Sequence, residues 1–185
     1  MREEFSNSKI TIKKIIPEHI SALSSVIYES RKELVVWMPW CHPDYTIEET
    51  IDWVGFQQHA WNDKLEYSFA IFDNTNNKLV GGCGLNQMNW MHNMGNLGYW
   101  VGTKHTRKGF ASEATKLCAE FGFSELNLNR IEIITAEENI PSQKVAEKVG
   151  AKKESLARRR LVVGKKVKDA FVYSLIKEDI IKDYD

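Results

Sequence analysis

The stretch of this sequence best suited to chemistry is Thr106–Phe123, "TRKGFASEATKLCAEFGF", where two cations and a glycine run straight into an amphipathic helix. A helix N-terminus leaves several backbone N–H groups without intrahelical partners and carries a partial positive charge, so it attracts anions. Arg107 and Lys108 add full charges, Gly109 lets a ligand approach the backbone, and Phe110, Ala111 and Ser112 open the helix, the last two without crowding a ligand. A pyrophosphate has the size and charge for such a cradle. The same residues also read as an ordinary helix cap with solvated loop charges, and this stretch alone does not decide between the two. Handling of ATP or GTP by a phosphate loop is disfavoured, because the Gly-Lys-Ser/Thr ending is absent, and "GGCGLN" lacks the third glycine and following helix of a dinucleotide fingerprint.

The elements that must carry this turn follow from hydrophobic periodicity. Ile10 and Ile12 in "KITIKKIIP" alternate as in an edge strand, and Pro17 leads into a helix whose apolar residues Ile20, Leu23, Val26 and Ile27 predict an end near Ser30. "LVVWMPWCHPDY" has no clean period and is expected to be an irregular aromatic loop. Thr46 and Glu49 form a capping box for a second helix through Trp61. "EYSFAIFD", "KLVGGCGLN" and "NLGYWVGT" read as three antiparallel strands, followed by a helix from Gly109 to about Leu126. Strand "RIEIITA", helix "IPSQKVAEKVG" and two strands around "VGKK" complete the chain. The expected fold is α+β (mixed α/β), with a central, mostly antiparallel sheet of about seven strands flanked by about four helices in a single domain over residues 1–185. Strands "NLGYWVGT" and "RIEIITA" should be parallel, since a helix connects them.

Composition narrows the function classes. Lys and Arg total 25 against 25 Asp and Glu, so net charge lends no support to a general nucleic-acid or membrane-surface role. Cys41, Cys83 and Cys118 are odd in number, widely spaced and without a C-x-x-C, which argues for reduced thiols in a cytoplasm. The 5 histidines show no close ligand spacing, so no metal is expected.

In "LGYWV", "TRKGFASEA", "AEFGFSELNLNRIEI" and "AEENIPSQKVAEKVGAKKES" the chain resembles the GNAT acetyltransferases, and within them the RimJ/RimL-type ribosomal-protein N-terminal acetyltransferases. The resemblance spans nearly all of Ile10 to Ile176 and is most specific from Leu97 to Glu154. Thr106 stands where the family often has a longer polar side chain, and Arg107 where it often has Gly; Gly109 and Ala111 match. The resemblance implies acetyl-CoA as donor, its diphosphate on the 107–112 turn and its pantetheine arm along the main chain of Trp100, Val101 and Gly102, one N–H of this strand polarising the thioester carbonyl. Asn139 and Ser142 match the family's Asn-x-x-Ser/Tyr pattern, in which the Asn contacts cofactor or orders the loop and the hydroxyl can protonate the departing thiolate. By type and spacing alone the pair reads as helix-start residues.

An amine attacks only when neutral. An α-amino group, with a pKa of about 7.7–8.0, needs less help than a lysine at about 10.4, so a protein N-terminus is the favoured acceptor and a weak base suffices. Glu132, opposite in face to Ile131 and Ile133, is the candidate base and equally reads as a solvated strand residue. Asn96 stands where many relatives have Glu; Glu113 complements a helix dipole; His92 and His105 fall in loops. Trp37 and Trp40, beside Pro39, are the candidate acceptor contacts, whereas Trp53 and Trp61 have core spacing. The alternatives are acetylation of a small amine, such as a polyamine or an antibiotic, and a non-catalytic acyl-CoA sensor. A homodimer is compatible with the exposed aromatics.

Overall fold

The computed structural model describes residues 1–181, built around one eight-stranded sheet. Its strands are β1 (Glu4–Ser6), β2 (Ile10–Lys14), β3 (Tyr67–Asp73), β4 (Lys78–Asn89), β5 (Met94–Val101), β6 (Arg130–Ala136), β7 (Lys152–Val163) and β8 (Lys166–Leu175). In space they run β1-β2-β3-β4-β5-β6-β8-β7. The β5–β6 pair is parallel and all the others are antiparallel. The helices are α1 (Ile20–Trp37), α2 (Ile47–Asn62), α3 (Phe110–Ser124), α4 (Ile140–Lys148) and the short α5 (Lys177–Ile181). This is the mixed α/β architecture the periodicity implies. β1 and α5 are additions, too short for a period to reveal.

The expectation that α1 ends near Ser30 is corrected. The helix continues to Trp37, so the segment "LVVW" is its last turn and the irregular loop begins only at Met38. Its buried stripe is Leu23, Ile27, Ser30 and Leu34, and the polar Ser30 hides the period in the sequence. That serine is buried because its Oγ accepts the Thr103 N–H at 2.9 Å, tying α1 to the end of β5. Gly102 permits the approach: a Cβ there would lie 2.6 Å from a Val26 methyl. The helix stops two residues before Pro39, whose ring disfavours helical backbone before it.

One sheet face carries Phe69, Cys83, Leu85, Leu97, Ile131 and Ile133, which pack with Phe110, Leu117, Cys118 and Phe121 of α3. Ala70 and Trp100 belong to the other face, with Leu23 of α1 and Val54 of α2. At the far edge β7 carries a pronounced bulge. Ala157 faces Ala170 and Leu161 faces Lys168, so Arg158, Arg159 and Arg160 stand opposite the single residue Asp169, whose carboxylate accepts the Arg159 N–H at 2.7 Å.

Phe121 is fully buried, with ring centroids of Phe69, Tyr67, Trp61 and Phe5 at 5.0, 5.3, 5.6 and 5.8 Å. Phe121→Ala should therefore cost about 3–5 kcal/mol of unfolding free energy in urea melts, and a loss under about 1 kcal/mol would contradict this packing.

Candidate active site

The sheet opens at its one parallel junction. β5 and β6 are in register only from Met94–Arg130 to Asn96–Glu132, after which both continue unpaired with each other. The Gly102 N–H donates to the Val80 carbonyl at 2.9 Å, and Trp100 lies opposite Gly82 in the same register. Antiparallel alternation then turns the main-chain groups of Trp100 and Gly102 toward β4 and those of Tyr99 and Val101 into the fork. Of the three strand residues expected to offer main chain to a ligand, Val101 faces the fork by this alternation. Trp100 and Gly102 turn their main chain to β4 instead, and Tyr99 faces the fork with Val101.

Beyond β5 the chain turns into α3 at Gly109, which adopts φ +80° as the residue before the helix. Arg107 is also left-handed, φ +61°, a conformation that costs a side-chain-bearing residue and explains why Gly suits this position. A Cβ on Gly109 would lie 3.3 Å from Lys9 Nζ and 3.9 Å from Lys148 Nζ. The bare face of the turn is thus flanked by two ammonium groups from the β1–β2 turn and the end of α4, besides Arg107 and Lys108 on the turn itself. Asn7 fixes the first of these turns by donating to Glu113 of α3 at 2.9 Å, which occupies that carboxylate. Neither Lys9 nor Lys148 gives a signal in the sequence, since each reaches the turn only through tertiary packing. Phe110 and Ser112 point inward, 4% exposed each, leaving backbone as what they can offer a ligand.

Asn139 caps α4 by accepting the Ser142 N–H at 3.2 Å. Ser142 Oγ lies 3.0 Å from the Tyr99 hydroxyl, which also donates to the Ser142 carbonyl at 2.8 Å. Burial raises the Tyr99 phenol above its ordinary range, so it stays protonated and holds Ser142 from across the fork.

A cleft of about 590 Å³ follows the fork, lined by Tyr99, Trp100, Thr135, Asn139 and Ser142, with Trp37, Met38, Trp40 and Tyr45 above and Leu161 and Val163 of β7 beside them. Trp40 packs edge-on against Trp100 and Tyr45, each at 5.8 Å between centroids. Trp61 is in the core, as its spacing implies, but Trp53 is 36% exposed and joins the cleft wall. The buried side of α2 is Thr50, Val54, Gln57 and Trp61, which leaves Trp53 on its flank. His92 is exposed, whereas His105 is half-buried and held below its ordinary pKa by burial, then by Lys108. No group of His, Cys, Asp and Glu among the described residues could hold a metal ion.

Glu132 is placed differently from the expected base. Its carboxylate accepts from Arg130 at 2.9 and 3.1 Å, the same guanidinium binds Glu154 at 2.5 Å, and Glu132 does not line the cleft. The Arg130 bond, then Ser174, draws the Glu154 carboxyl down to about 2. The sign follows: this contribution to stability is full above the ordinary carboxylate range and is lost as pH falls toward about 2. Thermal melts of wild type and Arg130→Gln should differ at pH 6 and converge near pH 2.

The chain belongs to the GNAT acetyltransferases: residues 9–152 match the family model described as an acetyltransferase (GNAT) domain. It is accordingly an acyltransferase enzyme that transfers acetyl groups. YjcK of Bacillus subtilis, named as an N-acetyltransferase, is 30% identical over 136 residues, 73% of this chain and 75% of that protein. YdaF of the same organism, which carries the name of a ribosomal N-acetyltransferase, is 29% identical over 178 residues, 94% of each chain. In fold the chain is similar to RimL, a ribosomal L7/L12 α-N-protein acetyltransferase solved with coenzyme A, at TM-score 0.87 over 94% of this chain and 98% of that one, with 17% identity.

A Cβ on Gly109 would have to hold φ +80°. Gly109→Ala should thus lower stability by about 1 kcal/mol, read from the denaturant midpoint, while Ala111→Gly should not reproduce the effect through strain.

Proposed function

We propose that the enzyme moves acetyl from acetyl-CoA to a primary amine by direct attack, with the α-amino group of a protein N-terminus as favoured acceptor. The observation that carries this reading is the path of the chain: β5, one arm of the β5–β6 fork, runs on into the turn at Gly109 beside Lys9 and Lys148, and Ser142 lines the cleft along the fork. The residues fit the donor. Backbone N–H groups at 109–112, with Arg107, Lys108, Lys9 and Lys148, form an anion cradle of diphosphate size. Tyr99 and Val101 present unpaired main-chain groups on which an amide-bearing arm can pair as a strand does. Gly98 leaves the floor open, since a Cβ there would meet only Asn86 Nδ2, at 3.9 Å.

Acetyl-CoA supplies an acetyl group already activated as a thioester. The protein's own part is to hold the reactants together, exclude water with Trp37, Trp40 and Trp100, and manage protons. Ser142 Oγ is the proton donor to the leaving sulfur. A thiolate is a stable leaving group, so a hydroxyl is a sufficient acid, and Tyr99, whose own proton bonds the Ser142 carbonyl, fixes the position of that hydroxyl at the fork. No covalent intermediate on the enzyme is needed: Cys41, Cys83 and Cys118 are buried, and burial pushes the Cys41 and Cys83 thiols up, away from nucleophilic thiolate. Asn139 acts as the cap that sets the Ser142 backbone. The YdaF and RimL names support a protein N-terminus as acceptor.

Thiol release from acetyl-CoA with short free-amine peptides tests the reading directly. Turnover is expected, and coenzyme binding without turnover on any amine would indicate a sensor instead. Ser142→Ala should lower kcat about 10- to 100-fold with the Kd for coenzyme A unchanged by calorimetry. An unaltered kcat would remove Ser142 from the proton path.

A further inference from the structure

We propose that Glu66, with Asn86 and Asn96 beside it, forms the subsite that receives the acceptor's ammonium and takes its proton; this rests on the acyl-transfer reading above.

The cleft lining is electrically one-sided. It contains the carboxylates of Glu49 and Glu66 and no lysine, arginine or histidine. Glu49 is committed: one oxygen meets His42 Nε2 at 2.8 Å and the other accepts the Thr46 N–H at 2.9 Å, closing the α2 capping box. Glu66 Oε1 accepts from Gln57 Nε2, and its second oxygen has no partner among the described residues. Gln57 is fully buried on α2, so it fixes the carboxylate from behind.

The sheet places two amides next to this group. Tyr67 lies opposite Leu85 and Ser68 opposite Gly84, so one step further Glu66 falls opposite Asn86, and Asn86 is opposite Asn96. Residues directly opposite share a face, so Glu66, Asn86 and Asn96 form one polar row across three strands. Asn96 lies at the last paired position before the fork opens. Its Nδ2 donates to Asn86 Oδ1 at 2.9 Å, while its own Oδ1 is buried without a partner among the described residues. A buried acceptor in that state is destabilising until a donor arrives. The β4 bulge after Asn86, where Gln87 has φ +50°, adds Gln87 to the same wall.

A carboxylate oxygen open to the cleft matches a group with several N–H donors and a positive charge, and the orphaned Asn96 oxygen further along the row adds negative partial charge toward the fork. A primary ammonium has three such donors; an N-acetylated end has one and no charge. The proton balance is complete. The ammonium gives one proton to Glu66, which passes it to solvent, and the neutral nitrogen then bonds to the acetyl carbon as the carbon–sulfur bond breaks. The second proton lost by nitrogen leaves by the same carboxylate, and Ser142 protonates the sulfur and is restored from water.

The experiment has an arm independent of turnover. In the presence of coenzyme A, which cannot react, calorimetry compares an alanine-first tripeptide with its N-acetylated form, and spermidine serves as the small-amine arm. Wild type should bind at least one free amine tenfold or more tighter than the acetylated peptide, and Glu66→Gln should abolish that preference. With acetyl-CoA, Glu66→Gln should lower kcat/KM at least about 100-fold and Glu66→Asp should recover part of it, with coenzyme A affinity and Tm unchanged. Equal binding of free and acetylated peptide together with no spermidine binding, or a Glu66→Gln enzyme within threefold of wild type, overturns the subsite. Absence of turnover with the binding preference intact would instead overturn the acyl-transfer reading alone.

Discussion

A β-sheet is stable because each strand satisfies its neighbour's backbone, and here one junction abandons that rule. β5 and β6 keep three aligned pairs and then separate, leaving the main chain at Tyr99 and Val101 without a strand partner inside a sheet that is otherwise paired. Water or a ligand must satisfy those groups. The surrounding parts hold the separation open. Trp100 and Trp40 meet edge-on above it, Tyr99 reaches over to the first turn of α4, and Ser30 of α1 ties down the end of β5. Because β6 pairs with β8 on its other side from Ile131 to Ala136, it cannot swing back to close the opening.

Net charge conceals how the molecule distributes its ions. The balance of 25 basic and 25 acidic side chains suggests an electrically bland protein. In space, Lys9 and Lys148 gather at the start of α3 while Glu49 and Glu66 line the cleft, so the proposed anionic donor and cationic acceptor would each meet a field of opposite sign. Separation of this kind would orient reactants of opposite charge before any specific contact is made.

The sequence showed the turn, the parallel connection and the "NIPS" helix start, because each is local: glycine conformation, helix capping and a crossover between strands all act within a few residues or one element. Side chains arriving from elsewhere were silent. Lys9 and Lys148 reach Gly109 from distant turns. Tyr99 looked like part of an apolar strand until α4 was laid against it. Which backbone groups of β5 face the fork depends on the register with β4, and the choice between Tyr99 and Trp100 turns on a single residue of alternation. Ser30 misled in the opposite direction, since a polar residue in a buried stripe made a continuous helix look finished. Glu132 sat on the expected face, yet its neighbour two residues back had already claimed it.

The bulge in β7 shapes the outer border of the cleft. Three consecutive arginines opposite one aspartate break the outermost strand into two short runs, and eight of the seventeen residues from Lys152 to Lys168 are Lys or Arg against one acidic residue. Such a border offers no uninterrupted backbone for another polypeptide to zip onto, and its like charges repel a second copy of itself. The cleft beside this border is walled by Leu161 and Val163 on one side and by Trp37 and Trp40 on another, so an acceptor of the proposed kind would enter by its tip rather than along its length. With a protein N-terminus as the proposed acceptor, selectivity for chain ends over internal lysines would then arise from access, before any difference in basicity is felt.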